Sequence, residues 1–441
     1  MPGMTMRAVV AETTVPRYLW TTAAGRVRSD AGWRRGGLFR FEEELPAPEL
    51  PGPHWVRLRT ELAGICGSDV GLAHARISLV LSAFYTAARV IPGHEVVAVV
   101  EAVGTGVDDL TTGDRVALDP VLSCVHRGFA PVCGTCQRGL PHACERFDLP
   151  GETGCAAPTQ GFDIAVGGGF GQQLVAHRSQ CLPIGDLPSM RAVLTEPLAV
   201  ALHAALRWER DGDRVVVIGP GTIGLLLTAA LRRLHPDLDV AVVSPGSFGS
   251  SRARSVGASR VLPTGPAAVH ALADQDGGRV LTAKRTPLPV LERGVAAVFD
   301  CVGYPDTIDL GLHLLRPGGT LVLAGAARQQ SVDWSLVWNR ELTVRGTING
   351  GPEPSLDGRR SAEHAVEWLQ DPAFPVDTLV THLAPLERWQ DAMAAASAGP
   401  RARAGKVVLR PDPELPLVGP VRARRPRDRS APASQGRGTA R

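Results

Sequence analysis

The spacing of apolar positions changes near residue 190. Before it, short apolar runs such as Trp55–Leu58 and Glu95–Val103 stand between Gly- and Pro-rich stretches, which predicts strands joined by turns. After it the runs lengthen. Arg191–Leu206 reads as a helix, with Pro197 in its first turn or at a kink. Arg214–Gly219 reads as a buried strand, Thr222–Leu234 as an apolar helix and Asp239–Ser244 as a second strand. Ser251–Val256 belongs to a further helix, and Ala296–Val302, Thr320–Ala324 and Leu342–Arg345 are strand candidates. This alternation predicts an α/β fold with a parallel sheet covered on both faces. Pro263–Leu291 shows no clean period; a helix near Ala267–Ala273 and a following loop are expected. Helices at Ala362–Leu369 and Leu386–Ala396 and a last strand, Lys406–Leu409, complete the pattern. Beyond Pro411 the Pro, Arg, Ser and Gly content predicts a disordered tail.

Composition narrows the class. The chain has 441 residues, 44% hydrophobic and 21% charged, which excludes wholesale disorder and allows two or three domains. The most apolar stretch, Val215 to Leu231, is interrupted by Gly219, Pro220, Gly221 and Gly224, so no membrane span is expected. The N-terminus lacks a charged-then-apolar leader pattern, which points to a cytoplasmic protein. Residues 412–441 carry seven arginines against three acids, a net +4, leaving the first 411 residues at −1. A body with that balance is not expected to bind nucleic acid. Lysine occurs only at 284 and 406, a compositional habit in an arginine-rich chain. Four of the eight cysteines crowd into Cys124–Cys144, a clustering that favours metal over disulfides.

Three constellations carry chemistry. The first is Gly219-Pro220-Gly221-Thr222-Ile223-Gly224 between an apolar strand and an apolar helix. Glycines there permit a tight turn and close approach to a pyrophosphate, which the helix N-terminus then faces. The following strand ends at Ser244 rather than at an acid that would accept from the ribose hydroxyls. Arg252 and Arg254 lie just beyond, either to meet a 2′-phosphate or to form a solvated helix face, so the sequence leans towards NADP without excluding NAD. The second is Cys124, Cys133, Cys136 and Cys144: four thiolates satisfy a tetrahedral zinc with no open position, a structural site. The third combines Cys66-Gly67-Ser68-Asp69 with His94-Glu95 and Glu196. It offers one sulfur, one nitrogen and one or two oxygens, a mixed set suited to a catalytic zinc. Asp69 either orients His94 or caps a helix.

In this order the three constellations resemble the zinc-dependent medium-chain dehydrogenase/reductase (alcohol dehydrogenase-like) family. The resemblance covers roughly residues 7–410, and Glu196 in Leu194-Thr195-Glu196-Pro197 is similar to the polyol/sorbitol dehydrogenase branch. It implies a GroES-like β-rich catalytic domain split around a Rossmann doubly wound sheet: residues 1–188, then 189–344 binding NAD(P), then 345–411, with 412–441 as basic tail. It further implies that Cys66, His94 and Glu95 or Glu196 hold the catalytic zinc. Three departures stand out. Ala130 occupies the usual place of the first structural cysteine, so Cys124 must be brought round by Val125–Pro131. Gly71 occupies the place of a relay histidine, with His74 as a candidate substitute. Ser244 replaces the usual acid.

The expected activity is hydride transfer between nicotinamide and a secondary alcohol of polyol, cyclitol or sugar-like kind. The alternatives are an NADPH-dependent ketone or aldehyde reductase on the same scaffold, or a non-catalytic nucleotide binder. Zinc would act as a Lewis acid, and Ser68 would pass the alcohol proton outward. By family analogy the protein is a homodimer or homotetramer, and its partner is a small alcohol or carbonyl compound.

Overall fold

The computed structural model describes residues 4–147, 149–282 and 284–424. Six parallel strands form the central sheet. In chain order they are Arg214–Ile218, Asp239–Val243, Arg260–Leu262, Val295–Asp300, Leu315–Leu323 and Thr343–Gly346. In space the third, second, first, fourth, fifth and sixth lie side by side, the doubly wound order whose reversal falls between the first and fourth strands. Its central strands are apolar on both faces because helices cover both. Leu225, Leu226 and Ala229 pack on one side with Val215 and Val217, and Ala268, Leu272 and Leu312 pack on the other with Val216 and Ile218.

The second domain is mostly antiparallel. Trp55–Gly64 is its spine, flanked by Glu95–Val103, by Gln173–His177 and by the late strand Lys406–Arg410. Residues from both ends of the chain therefore share one sheet, and the doubly wound domain is inserted between them. Thr195–Leu206 crosses from one domain to the other. Leu198, Leu202 and Ala205 join a core shared by Leu62 and Val97 on one side and Val217 and Leu225 on the other.

The elements follow the apolar pattern, with differences that have local causes. The helix expected over Arg191–Leu206 is two pieces, Ser189–Ala192 and Thr195–Leu206, with Pro197 in the first turn of the second, where its missing N–H costs nothing. The unreadable segment holds a helix, Pro266–Asp276, and a small hairpin of Val280–Leu281 with Val290–Leu291. A helix at Val15–Ala24, with Pro16 in its first turn, was not expected.

The tail is the main correction. Residues 412–424 pack on the body. Asp412 is buried and pairs with Arg59 at 2.6 Å, and Leu415 is buried. Val418 and Ser189 exchange two hydrogen bonds, and Arg424 pairs with Thr381 and Leu383 backbone. Proline-rich composition does not prevent ordering when a groove of the body supplies backbone partners. The remainder of the expected tail, 425–441, lies outside the described residues.

Candidate active site

Cys66 follows the spine strand and caps the helix Gly67–Ala73. The Asp69 carboxylate accepts from the Cys66 backbone N–H at 2.9 Å, so of its two expected roles the structure shows the cap. His94 immediately precedes the neighbouring strand, which Glu95 opens opposite Gly64. A Cβ at Gly64 would lie 1.9 Å from a Glu95 carboxylate oxygen, so only glycine leaves room for that side chain. As a result one ligand atom each from Cys66, His94 and Glu95 lie within 4.8 Å of one another.

This spot is electrostatically loaded. Burial opposes charge on His94, but hydrogen bonding and proximity to the Cys66 sulfur, then Asp69 and Glu196, hold its pKa well above the ordinary value. Lys406, reaching in from the late strand, places Nζ 2.6 Å from both Glu95 carboxylate oxygens and 3.1 Å from the Ile65 carbonyl. Glu196 stands in the first turn of Thr195–Leu206, outside the 4.8 Å set. Burial, with the Glu95 charge added and His94 opposing, pushes it up to about 7. The Ser68 hydroxyl and His94 Nδ1 are buried without hydrogen-bond partners among the described residues. A sulfur, a nitrogen and an oxygen donor converging beside orphaned polar atoms fit a zinc ion with an exchangeable position. His74 turns elsewhere: its Nε2 meets Ser397 Oγ at 2.7 Å and its ring edge meets Trp33.

The four remaining candidate ligands converge as well. Cys124, Cys133, Cys136 and Cys144 bring their sulfurs within 4.8 Å of one another, with Cys124 and Cys144 at 3.6 Å. The detour through Val125–Pro131 returns Cys124 to the cluster, where its sulfur accepts from the Cys133 N–H at 3.3 Å. Sulfurs this close cannot all ionise unaided. Burial raises Cys124 and Cys136, whereas Cys133, against the opposing effect of burial, is brought down to about 6 by N–H donors from Glu145 and Cys136. A dication removes that conflict, so this set also fits zinc. Cys155 and Cys181 are buried elsewhere and pushed up to about 12 by burial, as expected of structural thiols.

The glycine turn lies at the carboxyl end of the first strand of the central sheet, where the sheet order reverses. Gly219 has φ +100°, and a Cβ there would strike Val302 at 2.5 Å. A Cβ at Gly224 would strike the Gly219 carbonyl at 2.0 Å, whereas Gly221 faces open space. Close packing at the two outer glycines and clearance at the middle one leave the helix start at Thr222 and Ile223 free to face a pyrophosphate. Ser244 is buried at the end of the second strand, its hydroxyl donating to the Gly246 carbonyl at 3.1 Å. Asp300 is a turn residue, accepting from the N–H groups of Val302 and Gly303.

Arg252 departs from expectation. Its guanidinium donates to the Leu379 carbonyl at 2.8 Å and stacks 5.3 Å over Phe248, and burial brings its pKa down to about 10. A side chain spent on a carbonyl of the segment entering Val380–Pro385 does not face a ribose phosphate. Sequence reasoning also missed Lys406 as the partner of Glu95, and Phe162, whose ring lies against His94 with centroids 5.8 Å apart. One signal was present: a lysine retained in a chain that otherwise uses arginine.

The alcohol dehydrogenase GroES-like domain family matches residues 52–186, and the zinc-binding dehydrogenase family matches residues 222–370. A probable D-xylulose reductase A of Aspergillus clavatus is 30% identical over 316 residues, 70% of this chain and 79% of that protein. L-idonate 5-dehydrogenase of Vitis vinifera is 28% identical over 75% of this chain and 81% of its own length. In fold the chain matches galactitol-1-phosphate dehydrogenase from Escherichia coli with a TM-score of 0.66 at 23% identity, over 92% of this chain and all of that one. The chain belongs to the zinc-dependent medium-chain dehydrogenases, in their polyol dehydrogenase-like part. It is an oxidoreductase acting on CH–OH groups with a nicotinamide cofactor.

Proposed function

We propose that the protein interconverts a secondary alcohol of polyol, cyclitol or sugar-like kind and its ketone, using zinc held by Cys66, His94 and Glu95, and that Cys124, Cys133, Cys136 and Cys144 hold a second, structural zinc. The observation that carries this reading is the convergence of a sulfur, a nitrogen and an oxygen donor within 4.8 Å. The names of the Aspergillus clavatus and Vitis vinifera relatives support the substrate class. When bound, the catalytic zinc polarises the carbon–oxygen bond as a Lewis acid, and the nicotinamide accepts or supplies the hydride. Oxidation of one alcohol therefore yields one ketone, one reduced nicotinamide and one proton.

The chain's own groups do the rest. Lys406 fixes both oxygens of Glu95 and limits their reach. Asp69 locks the turn that presents Cys66. Ser68, buried and unpartnered among the described residues, takes the substrate hydroxyl proton and passes it outward. Glu196, buried in the first turn of Thr195–Leu206 and outside the Cys66–His94–Glu95 set, stands by the site as a proton acceptor rather than a ligand. Thr222, Ile223 and the glycines of the turn receive the pyrophosphate.

Ser244 favours a second reading, NADPH-dependent reduction, because it brings no carboxylate to repel a 2′-phosphate. Arg254, exposed on the same helix, remains available to that phosphate. The assembly we propose is a homodimer formed along Thr343–Gly346, the outermost strand of the central sheet. Trp338, 74% exposed, lies just before that strand on a groove of about 930 Å³ that Val290, Leu336 and Glu341 also line, and an unpaired edge strand is suited to pairing with a second copy. Among the described residues no helix is long and apolar enough to cross a membrane. The absence of a nucleic-acid partner, which rests on the near-neutral body charge, and a cytoplasmic location complete the proposal. A screen of polyols and simple alcohols with NAD and NADP, read at the nicotinamide absorbance, tests it. Turnover with at least one secondary alcohol is expected, and none with any would refute it.

A further inference from the structure

Arg127 carries a charged side chain that is fully buried. Its place follows from the local chain path. The Arg127 N–H donates to the Ser123 carbonyl at 3.2 Å, the Gly128 N–H to Val125 at 3.3 Å and the Phe129 N–H to Cys124 at 3.0 Å, so the residues after Cys124 curl into a compact turn. The Arg127 carbonyl accepts from the Glu152 N–H at 3.0 Å, and a Cβ at Gly151 would lie 2.2 Å from that carbonyl, so the two segments close on each other only with glycine there. The detour that returns Cys124 to the four-sulfur cluster thus also carries an arginine into it.

Three partners hold the guanidinium. Nη1 donates to the carbonyls of Ala156 at 3.0 Å and Leu149 at 3.3 Å, and Nη2 donates to the Cys144 sulfur at 3.3 Å. Nε is buried without a partner, and among the described residues no carboxylate pairs with this side chain. A buried cation without a counter-charge is costly, and of the three partners only the sulfur can carry a negative charge. The need is mutual. Four thiolates around one dication leave negative charge in excess. The Cys124 and Cys133 sulfurs accept from the backbone N–H groups of Cys133 at 3.3 Å and Cys136 at 3.5 Å, whereas Cys144 accepts from a cation, the stronger kind of donor.

We propose that Arg127 is the counter-cation of the four-cysteine site, a positioning residue that offsets the excess charge of the ligating thiolates and so raises the affinity of the site for zinc. This role rests on the structural-zinc reading above and goes beyond it by adding a fifth side chain to the site. Arginine suits the role because its planar fork reaches two carbonyls and a sulfur at once while staying charged.

The test measures zinc affinity by competition with a chromogenic chelator at neutral pH. It is made in the full chain carrying Cys66→Ala, so that the four-cysteine site is the one counted. Adding Arg127→Met is expected to weaken zinc binding by about 10- to 100-fold, the range usual for losing a partner of a metal ligand. Arg127→Lys keeps the charge and should bind zinc at least several-fold more tightly than Arg127→Met. A packing role alone would lower the melting temperatures of zinc-free and zinc-loaded protein alike and leave the affinity unchanged. Should Arg127→Met fail to fold, Arg127→Gln, also neutral, takes its place. Zinc held by the neutral variant as tightly as with Arg127 intact, or by the lysine and neutral variants equally weakly, overturns the counter-cation and leaves the structural-zinc reading standing. No zinc bound by Cys66→Ala with Arg127 intact overturns both.

Discussion

Lys406 Nζ stands 2.6 Å from both carboxylate oxygens of Glu95, and the two side chains are 3% and 1% exposed. The pair joins the two ends of the chain: Glu95 comes from the strand next to the spine, Lys406 from the strand that closes the sheet after the inserted domain. This lysine gives the buried Glu95 carboxylate its counter-charge and fixes it beside Cys66 and His94.

Removing one partner should therefore be costly. Lys406→Met leaves Glu95 buried and unpaired, with an expected loss of about 3–5 kcal/mol in urea unfolding. The double substitution Lys406→Met with Glu95→Gln should recover much of that loss. Equal destabilisation by the single and double changes would show that the ion pair is not what matters.

The cysteine cluster predicts a different phenotype. Cys144→Ser opens a closed four-sulfur set, so zinc content should fall by one per chain and the melting temperature should drop. A variant that melts like the parent with unchanged zinc would remove the structural-zinc assignment.

Acid stability should track His126. Burial, then His177, Arg360 and Arg127, bring its pKa down to about 3, while its Nδ1 accepts from the Ser123 N–H at 2.8 Å. The unfolded chain takes up a proton near the ordinary value of 6.5 that the folded chain refuses. Stability is thus full above about pH 6.5 and falls as pH drops towards 3, by up to about 1.4 kcal/mol per pH unit for this one proton. His126→Gln should flatten the profile between pH 6 and 4. An unchanged slope would assign it to other groups.

The C-terminal segment should contribute stability. Truncation after Pro411 removes the Asp412–Arg59 pair, buried Leu415 and the Val418–Ser189 hydrogen bonds, with an expected cost of at least about 2 kcal/mol. Truncation after Arg424 keeps all of them. Equal melting temperatures for the parent and the shorter truncation product would contradict this packing.

How much of this was legible in the sequence depends on the range of the interaction. The glycine turn was fully legible, because Gly219, Gly221 and Gly224 answer to local backbone geometry. The alternation of strands and helices was legible for the same reason. Cys124 was half legible: its type was informative, but its return to the cluster depends on the path of Val125–Pro131. Arg252 was misread because its partner, the Leu379 carbonyl, lies 127 residues away. Residues 412–424 were misread because composition says nothing of a groove that awaits them. Lys406 was visible as an exception to the arginine habit, yet its meaning required Glu95 to be placed beside it.

Zinc stoichiometry of the parent and of Cys66→Ala, measured by elemental analysis alongside turnover, tests the central claim most directly. Two zinc ions per chain are expected in the parent. One is expected in the variant, with unchanged melting above background and turnover lowered by at least about 10³-fold, as the loss of several kcal/mol of Lewis-acid stabilisation requires. A parent without zinc, or a variant that keeps both ions and its activity, would contradict the account.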